Sequence, residues 1–237
     1  MSATPDMRLL VSVRGVDEAL LAAAGGADFI DLKEPRSGAL GGLPLATIAA
    51  IVAALRAAGH ALPVSATIGD LAMEQPGEVL SRVDSVGDRG VDYVKVGIDA
   101  RLGSAGLLRA LARCHRPVVP VLLVDRGLGA LLVAQALSGG FAAVMLDTSD
   151  KAAGSLLELL PLSVLREFVG QARRAGVSIG LAGALRIEQL GMLLALEPDF
   201  AGFRGAVCVG HRAAALDAGR LQALVAERDR LVASSVV

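Results

Sequence analysis

The sequence predicts an α/β fold in one domain spanning residues 1–237, a closed barrel of eight βα units, and three observations carry that reading. Short β-rich runs alternate with longer Ala/Leu/Arg segments of helical period along the whole chain of 237 residues. The runs are almost continuously apolar, as strands are when a parallel sheet is covered on both faces. Eight such pairs fit the length of a (β/α)8, or TIM, barrel. An open doubly wound sheet fits less well, because no Gly-x-Gly-x-x-Gly opens the first helix.

Taken in order, strands are expected at 8–13, 28–33, 63–68, 93–97, 118–124, 143–147, 178–181 and 199–204. The helical stretches between them are 16–24, 45–58, 79–89, 106–113, 128–137, 163–175 and 187–196, and a last helix at about 212–231 closes the chain. Gly25-Gly26, Gly59, Gly90, Gly139-Gly140 and Gly176 stand where helix C-caps are needed before the next strand. No linker, low-complexity tract or charge block divides the chain.

Composition narrows the function. A net charge of −1 and 3% aromatic residues, with no Trp, offer neither the basic patch nor the stacking rings of a nucleic-acid surface. Hydrophobic residues make up 54% of the chain and the mean hydropathy is +0.59. The longest uncharged run, Gly127 to Leu146, is nevertheless broken by Gln135 and Ser138-Gly139-Gly140, which suits helix, turn and buried strand better than a membrane span. Cys114 and Cys208 provide no disulfide framework, and the first six residues lack the basic and apolar regions of an export signal, so a cytoplasmic protein is expected. Cys208-Val209-Gly210-His211 holds too few donors for a tetrahedral metal site, and no metal or cofactor is implied.

The chain has three lysines against twenty arginines, and each lysine falls where a predicted strand ends. Arginine keeps its proton in a protein; a desolvated lysine can lose it and become a nucleophile or base. In a (β/α)8 barrel the C-terminal ends of the strands carry the active site. Asp31 and Lys33 are two apart on one strand and so share a face. Lys95 ends the fourth strand, Asp147 the sixth, and Lys151 lies one short turn beyond. Ser12, Thr67 and Asp125 end strands one, three and five. Lys33 is the expected Schiff-base nucleophile, in the company of cations that lower an amine's pKa, and Lys95 the expected general base. Lys33 paired with Asp31 as a strand-end staple, and Lys151 as a surface residue, are the bland alternatives. Glycine-containing loops after strands seven and eight (Gly183; Arg204-Gly205-Ala206) match the place where such barrels bind phosphate. Ser12 is grouped with them as a phosphate contact.

These residues sit in a run of motifs that resembles the (5-formylfuran-3-yl)methyl phosphate synthase family of methanofuran biosynthesis. The similarity rests on Leu9-Leu10-Val11-Ser12, on Gly25 to Pro35, and on Gly38-Ala39-Leu40-Gly41. It continues through Val64 to Asp70, Tyr93-Val94-Lys95-Val96-Gly97, Met145-Leu146-Asp147-Thr148, Leu181-Ala182-Gly183 and Arg204 to Cys208, in the same order. The resemblance implies a (β/α)8 lyase that joins two glyceraldehyde 3-phosphates into a furan aldehyde with one phosphate kept, the other phosphate and water being lost. It implies Lys33 as the imine-forming residue, Lys95 as proton acceptor, and Asp31, Asp147 and Lys151 as supporting groups. The stretch between Lys95 and Asp147 is shorter than in archaeal members, and Val209-Gly210-His211-Arg212 departs from the pattern, which bears on loop contacts and assembly. A homo-oligomer is expected.

Three other functions stay open at this point. Asp31-Leu32-Lys33 is similar to the Asp-x-Lys-x-x-Asp signature of orotidine-monophosphate decarboxylase relatives, although Arg36 stands where the last aspartate belongs. A plain class I aldolase without cyclisation is the second, and a non-catalytic phosphosugar-binding protein the third.

Overall fold

Along β1 (Arg8–Val13), Leu9, Val11 and Val13 join a large apolar cluster shared with the helices, while Leu10 joins a smaller cluster inside the barrel. The period-two alternation of a strand produces this division. It recurs along β2 (Phe29–Leu32), β4 (Tyr93–Ile98), β5 (Val118–Leu123), β6 (Ala143–Asp147) and β8 (Phe200–Phe203), whereas in β3 (Val64–Thr67) and β7 (Ser178–Leu181) the residues that join the large cluster alternate with Ser65 and Gly180. The computed structural model describes residues 7–100 and 103–234. The reading of the first six residues therefore lies outside the described part. All eight strands pair in parallel and in chain order, and β8 closes on β1. The fold is a (β/α)8 barrel, with α1 (Val16–Ala24), α2 (Leu45–Ala57), α3 (Pro76–Gly87), α4 (Ser104–Leu111), α5 (Ala130–Ser138), α6 (Leu156–Leu159), α7 (Leu162–Ala175), α8 (Leu190–Leu196) and α9 (Ala218–Ser234). Among the described residues no helix is long and apolar enough to cross a membrane.

Three aspartates set the register at the N-terminal end. Asp28, Asp92 and Asp199 each precede a strand whose first or second residue is aromatic: Phe29, Tyr93 and Phe200. Their carboxylates accept the backbone N–H of Leu9, Val64 and Ile179 on the preceding strand, each at 2.7 Å. A charge-assisted bond of this kind contributes about 1.5–3 kcal/mol. Each clamp also turns the following ring toward the barrel interior.

The observed elements shift from expectation where capping decides. The last helix begins at Ala218, because Asp217 caps it through Arg220 N–H at 2.8 Å, while Cys208 bridges Leu216 in the segment before it. A short helix, α6, appears where none is expected; Ser155 and Glu158 form a capping box around its first turn. Lys33 lies just past β2, its N–H held by Val13 O at 3.1 Å.

Candidate active site

Burial of five ionisable side chains at one end of the barrel is the feature that needs explaining. Asp31, Lys33, Lys95 and Asp147 are each less than a tenth exposed, and Lys151 is nearly as enclosed. Charged groups persist in such a place only when they compensate one another.

Asp31 is the hub. Its Oδ1 accepts from Lys95 Nζ at 2.8 Å and from Ser65 Oγ at 2.7 Å. Its Oδ2 accepts from Ser12 Oγ at 3.0 Å, and Lys33 Nζ stands 3.8 Å from the same oxygen. Asp147 is the second acceptor: Lys151 Nζ and Thr148 N–H both donate to its Oδ1, and Lys151 also reaches the carbonyl and hydroxyl of Thr148. Three amines thus face two carboxylates. Lys95 and Lys151 each have a carboxylate at hydrogen-bond distance, and Lys33 does not.

The protonation equilibria follow. Burial alone raises the pKa of Asp31, but the charges of Lys95 and Lys33 and the bonds from Lys95 and Ser65 outweigh it, so the carboxyl is held below its ordinary value. Asp147 behaves likewise, held down by Lys151 and Lys33 against burial. Lys95 is lowered, first by burial and further by the charge of Lys33, with Asp31 opposing. Burial also lowers Lys151, helped by Lys33 and opposed by Asp147. The carboxylates are held ionised, and Lys95 and Lys151 are the amines whose positive charge is disfavoured.

Above this network lies a cavity of about 330 Å³ lined by all ten residues expected at the site: Ser12, Asp31, Lys33, Lys95, Asp147, Lys151, Gly183, Arg204, Gly205 and Ala206. Gly183 takes a φ of +113°, in the region that favours glycine, and lies against Thr148 where a side chain would collide. Ser12 spends its hydroxyl on Asp31 rather than on the cavity. Arg204 lines the cavity, yet its guanidinium is turned to protein acceptors: Glu18 at 2.6 and 3.1 Å, and the carbonyls of Ser12, Arg212 and Ala214. It staples the ends of β1 and β8 to the segment before α9. Thr67 bonds Gly41 O at 2.8 Å beneath the loop after β2, and Asp125 organises Ser149 and Asp150 outside the cavity; neither joins the site.

Arg212 and Leu40 also line the cavity, outside the set of expected site residues. Arg212 lines it and donates to Gly38 O at 3.1 Å, linking the loops after β2 and β8. It is one arginine of twenty, in a segment without a motif. Leu40 enters the mouth from the loop after β2; a Cβ on Gly97 would lie 2.6 Å from its Cδ1, so β4 has no side chain there.

The 4-HFC-P synthase family profile matches residues 9–225. A Methylorubrum extorquens protein provisionally named (5-formylfuran-3-yl)methyl phosphate synthase is 39% identical over 223 residues, covering 93% of this chain and 92% of the relative. The (5-formylfuran-3-yl)methyl phosphate synthase of Methanosarcina mazei is 33% identical over 236 residues, covering 93% and 99%.

The chain belongs to the 4-HFC-P synthase family.

Among solved structures, phosphoribosyl anthranilate isomerase from Thermus thermophilus superposes with a TM-score of 0.69 at 21% identity, covering 95% of this chain and 100% of that one. That likeness concerns the barrel fold. Membership in the synthase family identifies an enzyme and gives the lysine-rich mouth a chemical context.

Proposed function

We propose that this synthase condenses two glyceraldehyde 3-phosphates to (5-formylfuran-3-yl)methyl phosphate through an imine on Lys33, in a methanofuran-type pathway. The observation that carries the reading is the unequal pairing of three buried amines with two carboxylates. Lys33, beyond hydrogen-bond distance of either partner oxygen it faces, is the amine at liberty to attack a carbonyl. The iminium withdraws electrons from the adjacent carbon, whose C–H becomes acidic. Lys95, lowered by burial, takes that proton. The enamine attacks the aldehyde of the second triose, and phosphate elimination, ring closure and dehydration complete the furan. Asp31 holds the two amines in place while remaining ionised, and the Asp147–Lys151 pair serves the later proton transfers.

Phosphate recognition is assigned to Arg212 with the backbone of Gly183, Gly205 and Ala206, since the guanidinium of Arg204 is committed elsewhere. With Lys33, Lys95, Lys151 and Arg212 facing Asp31 and Asp147, the mouth favours anionic substrates.

The deciding experiment incubates the protein with glyceraldehyde 3-phosphate, with and without borohydride. A furan chromophore together with a reduced adduct mapped to Lys33 is the expected result. An adduct without the furan identifies a plain aldolase. Neither product nor adduct rejects the imine route.

A further inference from the structure

A second cavity, of about 260 Å³, opens at the N-terminal end of the barrel, where interiors of this fold are ordinarily filled by layers of side chains. Three of the chain's six aromatic residues, Phe29, Tyr93 and Phe200, line it. These are the rings that follow the three clamping aspartates. Phe29 and Phe200 pack with centroids 5.5 Å apart and planes at 56°, and the Arg8 guanidinium lies 4.7 Å over Phe29. Rings fixed in this way wall a space instead of collapsing into it.

The upper end of that space is the catalytic network itself. Lys95 and Leu10 line both this cavity and the substrate cavity, so a layer one residue deep separates the two. Ser65 faces the lower side and Asp31 the upper, and the 2.7 Å bond from Ser65 Oγ to Asp31 Oδ1 crosses the layer. The hydroxyls of Ser65, Tyr93 and Ser178 supply polar partners in the lower wall, and a roomy cavity with polar partners takes up water, whereas a purely apolar one stays dry.

We propose that the lower cavity is a rear water door to Lys95, carrying its protons to and from bulk solvent while substrate fills the front mouth. This rests on the assignment of Lys95 as the base. As the substrate C–H breaks, the amine becomes an ammonium; it returns to the amine by passing that proton to cavity water, which hands it to solvent at the Arg8 rim. Ser65, hydrogen-bonded to the carboxylate oxygen that Lys95 also holds, positions this water. With substrate in the front mouth, the lower cavity is the other space that Lys95 lines.

The test uses the size of a probe rather than turnover alone. Formaldehyde with cyanoborohydride methylates accessible neutral amines, and peptide mass reads Lys95 separately from Lys33 and Lys151. Ala143→Leu and Ser178→Leu each add bulk to the lower cavity only, and Ala182→Leu adds bulk to the front cavity only. Using those variants whose thermal unfolding stays cooperative, Lys95 methylation is expected to continue in Ala182→Leu, whose front cavity is narrowed, and to fall at least tenfold when Ala143→Leu or Ser178→Leu is added to it. The lower-cavity variants are further expected to give the parent yield of borohydride-trapped Lys33 adduct with slower turnover. Methylation that disappears in Ala182→Leu alone, or that persists when either lower-cavity substitution is added to it, overturns the rear door, as does a parent Lys95 that resists the reagent. Because methylation needs no substrate, failure of the proposed synthase chemistry leaves this result readable.

Discussion

Replacing Asp31 by Asn separates what the carboxylate does for stability from what it does for the amines. The charge removed lies 2.8 Å from Lys95 Nζ and 3.8 Å from Lys33 Nζ. At an effective dielectric constant of about 20 these distances correspond to roughly 6 and 4 kcal/mol of attraction before desolvation is counted. Desolvation offsets much of this, and removing one partner of a buried pair destabilises by about 3–5 kcal/mol. Burial already disfavours the charge on Lys95, so part of that penalty is relieved as this amine loses its proton at higher pH. Lys95, whose folded pKa lies below its unfolded value of about 10.4, costs folding energy in full below its folded pKa, and the cost shrinks as pH rises through the window between the two, by at most about 1.4 kcal/mol per pH unit. Urea unfolding of Asp31→Asn is therefore expected to show a deficit of about 3–5 kcal/mol at pH 7 that narrows toward pH 10. Adding Lys95→Met, which removes the stranded charge, recovers at least about 2 kcal/mol of it. A deficit below about 1 kcal/mol, one that is flat with pH, or one that the second substitution deepens additively refutes the charge accounting.

Lys33→Arg keeps the charge but abolishes the borohydride-trapped adduct and turnover together, as adduct mapping and product absorbance will show. Lys95→Met retains the adduct while turnover falls by about 10²–10⁴, the range of a lost general base. In the parent enzyme kcat is expected to rise with pH through a limb below the ordinary lysine range, reporting the lowered Lys95; Asp31 and Asp147, held below ordinary carboxylate values, contribute stability that is lost only as pH falls through those depressed values. Arg212→Ala is expected to raise KM by roughly ten- to a hundredfold through a lost charge-assisted contact. Arg204→Met instead lowers the unfolding free energy by about 3 kcal/mol, because Glu18 keeps only Arg14, at 3.5 Å, as a cationic partner, and inorganic phosphate affinity measured by calorimetry stays near the parent value.

The sequence by itself determined the barrel and the amines. Near-continuous apolar runs between helices call for a parallel sheet covered on both faces, eight of them fit a closed barrel, and three lysines among twenty arginines drew attention to the strand ends. Strand period was enough to put Asp31 and Lys33 on one face, because side-chain direction along a strand is a local property. Three-dimensional packing decided what each charge is for. Whether Arg204 meets a substrate or Glu18 depends on a residue 186 positions away, and Arg212 joins the mouth through Gly38, 174 positions away. The same holds for Leu40 over Gly97 and for the cavity behind Lys95. Such contacts arise from barrel closure and loop packing, which bring together residues whose spacing along the chain carries no periodic signal.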